Sequence, residues 1–262
     1  MHPLAIQIGP LSIHWYGILV AVGFLAGLWL ADRRAPSHGL HAQVVGDVGI
    51  WLMIGAIVGA RALHVISYWQ EDFAHKPWWE MFAIHHGGLV FYGGLIGASL
   101  ATILYARVRA VPLWRLADVL APSIPLGQFF GRLGCLMNGC CYGLPCALPW
   151  AIRFPEGRIR HETAVHPVQL YEAGFDLALY AFLAWQIRGR RFEGQTFALY
   201  LILYSIVRFS VEFFRGDYEV RYLGGWATPG QLASVVILAA GLSVWRFRRA
   251  PGPGPSEMAP PA

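Results

Sequence analysis

The sequence predicts an all-α, polytopic membrane protein with seven transmembrane helices, and three observations support this fold class. Of the 262 residues, 56% are hydrophobic and only 13% are charged, whereas about a quarter of the residues in an average soluble domain are charged. Seven apolar stretches approach the length of about 20 residues that a helix needs to cross a bilayer. Basic residues occur in small groups between these stretches, which argues against a nucleic-acid-binding surface.

The seven predicted helices follow one another along the whole chain. Their bounds are 11–31, 44–66, 89–107, 117–137, 167–187, 196–214 and 229–247. Residues 1–10 contain no Lys or Arg, so we expect the first apolar stretch to remain as a helix and not to be removed as a signal peptide. We expect one membrane-embedded domain over residues 1–250, followed by a disordered tail over 251–262 that is rich in Pro and Gly.

The basic residues between the predicted helices indicate their orientation. Eleven fall on one side, namely Arg33, Arg34, Arg107, Arg109, Arg115, Arg188, Arg190, Arg191, Arg246, Arg248 and Arg249. Six fall on the other side, namely Lys76, Arg153, Arg158, Arg160, Arg215 and Arg221. Because Lys and Arg are enriched in cytoplasmic loops, the first side is predicted to be cytoplasmic. The N-terminus is then outside and the C-terminus is in the cytoplasm.

The fourth predicted helix is irregular. Its segment APSIPLGQFFGRLG contains Pro122, Pro125, Gly127, Gly131 and Gly134. Proline removes a backbone donor and clashes with the preceding turn, so this helix is expected to kink or break. Backbone groups that are freed at membrane depth need partners in protein or water, which favours a helix that lines a cavity. A kink that serves packing alone is the alternative.

Three arginines are predicted at membrane depth: Arg61, Arg132 and Arg208. Each costs about 2.5–3.5 kcal/mol at the centre of a helix unless it is paired or solvated. Arg208 and Glu212 lie four residues apart on one helix face, where opposite charges attract, and further acids within the predicted helices are Asp47, Asp118, Glu172 and Asp176. The planar guanidinium also matches phosphate oxygens, so Arg132 and Arg208 are predicted to clamp a phospholipid headgroup. The alternative is that they only join helices by ion pairs.

A glycine- and cysteine-rich segment, GRLGCLMNGCCYG over residues 131–143, follows the broken helix. This segment resembles the signature of prolipoprotein diacylglyceryl transferases. Five further stretches support the resemblance, namely IHWYG at 13–17, GGLVFYGGLIG at 87–97, ADVLAPSIPLGQFFGRLG at 117–134, HPVQLYE at 166–172 and YSIVRFSVEFFRGD at 204–217. Their order along the whole chain makes an accidental resemblance improbable.

The resemblance implies a seven-span transferase of the bacterial inner membrane, with its N-terminus outside and its active site toward the outer face. We expect the protein to be a monomer. In this family, phosphatidylglycerol donates its diacylglyceryl group to the thiol of the lipobox cysteine in a prolipoprotein signal peptide, and glycerol 1-phosphate is released. The implied partners are therefore the lipid, the signal peptide and the bilayer. No metal, organic cofactor or nucleic acid is implied.

The resemblance also indicates the site residues. It implies a catalytic role for Arg132 and Arg208, and Tyr92 is our third catalytic candidate although it departs from the family pattern. Our candidates for substrate binding are Arg61, from its place at membrane depth, and Tyr16, Asn138, Gly139, Gly143, His166, Gln169, Tyr171, Glu172, Tyr204, Glu212 and Arg215, which lie in the matching stretches.

The sequence departs from the family pattern at two positions. Tyr92 stands where some members have a histidine that is proposed to activate the thiol. The proton acceptor is therefore open, with the nearby His85 and His86 or the phosphate itself as alternatives. Cys135 stands where many members carry an asparagine.

The four cysteines, Cys135, Cys140, Cys141 and Cys146, are spaced C-x4-C-C-x4-C, which is no standard zinc pattern. A disulfide from Cys146 to Cys140 or Cys141 and four free thiols are both compatible with the sequence. A transporter or binding protein for a lipid or small anion is the alternative function, since a broken helix and buried arginines also suit an anion site.

Overall fold

The structure is a computed structural model, and it describes residues 3–9, 11–83, 87–155, 163–217, 222 and 227–249. The predicted tail over 251–262 lies outside the described residues, as do His85, His86, Arg158, Arg160 and Arg221. The chain divides into two compact units. The large unit comprises Met1–Ala31 and Ala117–Ala262, and the small unit comprises Asp32–Leu116.

Eight α-helices occur in the described part of the chain. They are α1 Trp15–Arg34, α2 Ala42–Ser67, α3 Phe91–Val108, α4 Leu113–Leu120, α5 Ser123–Asn138, α6 Val168–Gln186, α7 Gln195–Val211 and α8 Pro229–Arg249. Five of them, α1, α2, α3, α7 and α8, are long and apolar enough to cross a membrane. The mostly helical, membrane-type fold is thereby confirmed.

The N-terminus forms a β-hairpin, so two sequence predictions are wrong in part. Strand β1, Leu4–Ile8, pairs antiparallel with strand β2, Leu11–His14, and the first helix begins at Trp15 and not at residue 11. β-branched residues such as Ile6 and Ile13 favour strands, and Gly9 at the turn has a positive φ of 59°, which glycine adopts readily. The fold is consequently not purely α-helical.

The predicted break in the fourth helix is present. Helix α4 ends at Leu120 and α5 begins at Ser123. The Oγ of Ser123 donates a hydrogen bond to the carbonyl oxygen of Gly27 in α1, at 2.7 Å. A Cβ on Gly23 of α1 would lie 2.9 Å from the Cβ of Phe130. Small residues thus allow α1 and α5 to pack closely, and the break directs α5 along α1.

Asp118 fixes α4 to the start of α7. Its Oδ2 accepts from the backbone N–H of Gly194 at 2.8 Å and from Arg190 Nη1 at 3.1 Å, and its Oδ1 accepts from the N–H of Phe197 at 3.0 Å. The carboxylate is fully buried and satisfies N–H groups that have no partner within the helix. Helices α4 and α7 are therefore held together at this end by hydrogen bonds and charge.

In the small unit, α2 and α3 cross at glycines. A Cβ on Gly97 of α3 would lie 2.9 Å from the Cα of Gly59 in α2, and a Cβ on Gly55 would lie 2.6 Å from the Cβ of Ala101. Small residues at helix contacts let backbones approach in membranes, where packing drives helix association.

We expect Gly97→Ala to destabilise the protein by about 1–3 kcal/mol, because the added methyl group forces two packed backbones apart. Thermal unfolding in detergent measures this as a lower Tm. Gly46→Ala is the matched control, since Gly46 lies on α2 with nothing within 4 Å of the added Cβ. Equal Tm values for the two variants would contradict the glycine contact.

Candidate active site

One buried carboxylate, that of Glu172 in α6, contacts three arginines within the large unit. Arg132 of α5 approaches with Nε at 3.0 Å from Oε2, and Arg208 of α7 with Nη1 at 2.7 Å from Oε1. Arg215, which follows α7, lies 3.9 Å away through Nη1. Glu172 is only 4% exposed. This single side chain therefore joins α5, α6 and the end of α7.

Two further acids complete the charge balance of this arginine cluster, which comprises Arg132, Arg208 and Arg215. The predicted pair of Arg208 with Glu212 is confirmed, with Nη2 at 2.9 Å from Oε2. Asp217 forms two parallel contacts with Arg215, at 2.9 and 2.7 Å. The three cations thus face three carboxylates.

Arg132 differs from the other two arginines. Its ion pair with Glu172 uses Nε, and among the described residues no partner contacts its two terminal amino groups. Its side chain is 21% exposed, against 13% for Arg208 and 6% for Arg215. Within the described residues, the guanidinium edge that suits bidentate binding of a phosphate is therefore not used in a hydrogen bond.

The other acids of the predicted helices have separate partners or positions. Asp47 contacts Arg109 at 3.5 Å in the small unit, and Asp118 contacts Arg190. Of the acids that the sequence offered as partners for Arg61, Arg132 and Arg208, these two therefore pair with other arginines. Asp176 lies one turn beyond Glu172 on α6 and is 4% exposed. It adds a third buried acid close to the arginine cluster, after Glu172 and Glu212.

The glycine-rich segment holds the cluster through its backbone. Asn138 ends α5, and Gly139 follows in the left-handed conformation with φ of 75°, a common way to end a helix. The N–H of Gly143 donates to the carbonyl of His166 at 3.1 Å. A Cβ on Gly143 would lie 2.6 Å from the Cβ of His166, so a larger residue does not fit.

The same segment is tied to α6 and to the residues after α7. Gln169 Nε2 donates to the carbonyl of Cys140 at 2.7 Å. The N–H of Leu144 donates to the carbonyl of Phe214 at 2.8 Å, and the N–H of Gly216 donates to that of Tyr142 at 3.2 Å. These bonds fix the backbone on both sides of Arg215.

A cluster of aromatic side chains lies beside these backbone hydrogen bonds. His166 Nδ1 is 3.2 Å from Tyr171 Oη, and Trp150 Nε1 donates to the same hydroxyl at 2.7 Å. The ring of His166 is also 5.3 Å from that of Phe214. His166 and Tyr171, both predicted as site residues, are thus brought together at the start of α6.

Two predicted tyrosines line helices of the large unit. Tyr204 stacks on Tyr200 at a ring separation of 5.6 Å, one turn before Arg208. Tyr16, near the start of α1, is 46% exposed, and its ring lies against Gly134 of α5, where a Cβ would be 3.0 Å away.

Arg61 and Tyr92 belong to the small unit. The guanidinium of Arg61 donates to four carbonyl oxygens, those of Glu80, Met81, Gly87 and Gly88, at 2.7–3.2 Å. It also lies 5.3 Å from the ring centroid of Phe73. Tyr92 is 54% exposed. Arg61 thus holds the backbone at residues 80–81 and 87–88, while substrate binding by Arg61 and the catalytic role of Tyr92 stay predictions.

The four cysteines are free thiols in the structure. The sulfur atoms of Cys135, Cys140 and Cys141 lie within 4.8 Å of one another. This grouping follows from the turn at Gly139, which brings the end of α5 back on itself, and the C-x4-C-C spacing alone did not predict it.

With this geometry established, comparison with known proteins decides the family. A family model described as "Prolipoprotein diacylglyceryl transferase" matches residues 3–247. The chain belongs to this family. The predicted family is therefore confirmed over nearly the whole sequence.

Three relatives illustrate the similarity within the prolipoprotein diacylglyceryl transferase family, and each is named phosphatidylglycerol–prolipoprotein diacylglyceryl transferase. The relative from Nitratidesulfovibrio vulgaris (strain Miyazaki F) is 39% identical over 97% of this chain and 96% of its own length. The relative from Chromohalobacter salexigens is 36% identical over 94% of this chain and 93% of its own length. The relative from Synechococcus elongatus is 38% identical over 94% of this chain and 87% of its own length.

Sequence reasoning missed Thr228, which supports the cluster in this family member. Its Oγ1 donates to Glu212 Oε1 at 2.8 Å and accepts from the N–H of Gln231 at 3.1 Å, while Gln231 Oε1 accepts from the N–H of Thr228 at 3.0 Å. This reciprocal pair is a capping box at the start of α8. The signal was present as TPGQ, a Thr before Pro229 with Gln three residues later.

Asp217 was also missed as a site residue. It lies within the quoted YSIVRFSVEFFRGD stretch, two residues after Arg215. An acid so close in sequence to a predicted site arginine was the available signal.

Proposed function

We propose that this protein transfers the diacylglyceryl group of phosphatidylglycerol to the lipobox cysteine thiol of prolipoproteins and releases glycerol 1-phosphate. The observation that carries the proposal is the guanidinium edge of Arg132, unused within the described residues, beside Arg208 in a chain of this family. The substrates are those in the names of the relatives.

We propose the full seven-span arrangement as the setting of this reaction. The broken pair α4 and α5 and the 19-residue α6 would add two crossings to the five apolar helices. The polar residues Gln169, Glu172 and Asp176 of α6 are all buried in the protein. The chain then forms a single catalytic domain over residues 1–250.

The proposed orientation has the N-terminus outside and the C-terminus in the cytoplasm of an inner-membrane protein that acts as a monomer. Basic residues in the last turns of α1, α3 and α8 support it, because cytoplasmic ends are enriched in Lys and Arg. Seven crossings place the start of α6 and the end of α7 on the outer side. The arginine cluster then faces the outer leaflet, where lipobox cysteines are presented.

The chemistry follows from where negative charge develops. The thiol sulfur forms a bond to the glycerol carbon that carries the phosphate ester, the carbon–oxygen bond breaks, and its electron pair goes to the leaving phosphate. Arg132 and Arg208 would donate hydrogen bonds to that phosphate, and such pre-positioned donors act most strongly where charge appears in the transition state. The thiol proton leaves to an acceptor, and Tyr92 would position the lipid near the reacting carbon.

Glu172 would serve this reaction by positioning. It holds the guanidinium groups of Arg132 and Arg208 on its two carboxylate oxygens, so little reorganisation is needed when the phosphate binds. Tyr16, Asn138, Gly139, Gly143, His166, Gln169, Tyr171, Tyr204, Glu212, Arg215 and Arg61 are proposed to shape the substrate site around these donors.

The test uses purified protein in detergent with phosphatidylglycerol and a lipobox peptide. We expect the peptide to gain the mass of one diacylglyceryl group while glycerol phosphate appears in equal amount. A peptide with serine in place of the lipobox cysteine, and phosphatidylcholine in place of the donor, are the controls. A well-folded protein that modifies no peptide under any lipid condition would disprove the transferase, and lipid transport in vesicles would then be the function to measure.

A further inference from the structure

A cavity lies in the large unit, away from the arginine cluster. It has a volume of about 890 Å³ and is formed by the connection between α6 and α7 and by the last turns of α8. Glu172 and Trp185 are 13 residues apart on α6, which at 1.5 Å per residue is about 20 Å along the helix. The same spacing separates Gln195 from Arg208 on α7. The proposed reaction does not use this cavity.

The cavity is basic and has no carboxylate among its described lining residues. Arg188 and Arg191 come from the connection, and Arg249 comes from the end of α8. All three side chains are exposed. Three cations therefore converge from two separate elements on one concave surface.

The uncharged polar side chains of the lining are also donors. The Oε1 of Gln186 accepts from Thr196 Oγ1 at 3.1 Å, and the Oε1 of Gln195 accepts from the N–H of Arg191 at 2.6 Å. These bonds occupy both carbonyl oxygens and leave the amide NH₂ groups to donate. The two lining tryptophans, Trp185 and Trp245, have only an indole N–H to offer. A ligand that accepts hydrogen bonds and carries negative charge suits such a lining.

The aromatic side chains of the lining indicate that the anion is the headgroup of a membrane lipid. The rings of Phe192 and Trp245 pack edge to face with centroids 5.3 Å apart, and Trp185 is 68% exposed. Tryptophan is enriched at the headgroup level of a bilayer. Basic pockets between helices at that level bind anionic lipid headgroups.

We propose that this cavity binds the phosphodiester of an anionic phospholipid from the leaflet at this end of the helices. This lipid is a second one, distinct from the donor at the arginine cluster. The inference rests on the membrane embedding given under the proposed function, and it does not require that the bound lipid reacts.

The test compares lipid binding by two variants with equal loss of charge. Native mass spectrometry counts phosphatidylglycerol molecules retained by detergent-purified protein. We expect Arg191→Gln/Arg249→Gln to retain one lipid fewer and to bind the corresponding site at least tenfold more weakly. Arg107→Gln/Arg246→Gln is the matched control, since both arginines are exposed at helix ends and neither lines the cavity, and it should retain the lipids of the parent protein.

Two further experiments test whether the cavity binds an anionic lipid or free phosphate. Phosphatidylcholine should not replace phosphatidylglycerol, and millimolar inorganic phosphate should not displace it. Equal lipid counts in both variants, or full displacement by inorganic phosphate, would overturn the proposal. Transferase activity is measured on the same samples. Activity without a difference in lipid count would reject only this inference, whereas a lipid difference without any activity in the parent would reject the proposed function alone.

Discussion

Replacing Arg132 with lysine is expected to lower the transferase rate at least 100-fold while the protein stays folded. Arg132 reaches Glu172 through Nε at 3.0 Å, and its two terminal amino groups make no hydrogen bond within the described residues. Lysine retains the positive charge beside Glu172 but loses the planar pair of donors that binds a phosphate in two places. Losing one such donor in a transition state typically lowers a rate by a factor of about 10²–10³.

The measurement is the initial rate of peptide modification, together with Tm in the same detergent. Arg190→Lys is the matched control, because Arg190 is also mostly buried and paired with one carboxylate, that of Asp118, outside the cluster. We expect this control to keep its activity within about threefold. An active Arg132→Lys protein would mean that Arg132 contributes charge alone, and an unfolded one would assign it to ion pairing between helices.

The helices were largely predictable because apolar length and local end signals define them. Helix α8 was predicted to begin at Pro229, and it does so because the TPGQ capping box specifies that start within four residues. The start of the first helix was placed four residues too early. Residues 11–14 are apolar enough to continue a helix, but they pair with β1 instead.

The ion pairs between the candidate site residues were less predictable than the residues themselves. The pair of Arg208 and Glu212 was found because both lie on one helix face, where spacing alone decides. The central place of Glu172 depends on how α5, α6 and α7 pack, which no local pattern encodes. Five intramembrane acids were available as partners, and the structure assigns Asp47 and Asp118 to arginines elsewhere.

Replacing Glu172 with glutamine should have the largest effect on stability. The substitution leaves Arg132, Arg208 and Arg215 without their shared carboxylate in a site that is only 4% exposed at Glu172. Removing one partner of a buried ion pair typically costs about 3–5 kcal/mol, because the remaining charge stays buried without compensation. We expect a much lower Tm in detergent and, because the arginines lose their common anchor, a loss of transferase activity as well.

Asp47→Asn provides the control for this prediction. Asp47 also pairs with an arginine, but its side chain is 43% exposed and that of Arg109 is 63% exposed. Such an exposed ion pair contributes at most about 1 kcal/mol to stability, so the Tm of the Asp47→Asn protein should differ little from that of the parent. If Glu172→Gln were as stable as Asp47→Asn, the remaining acids Asp176, Glu212 and Asp217 would suffice to balance the arginines, and a variant that was also fully active would remove the positioning role of Glu172. A stable but inactive Glu172→Gln protein would contradict only the expected loss of stability and would leave the positioning role in place.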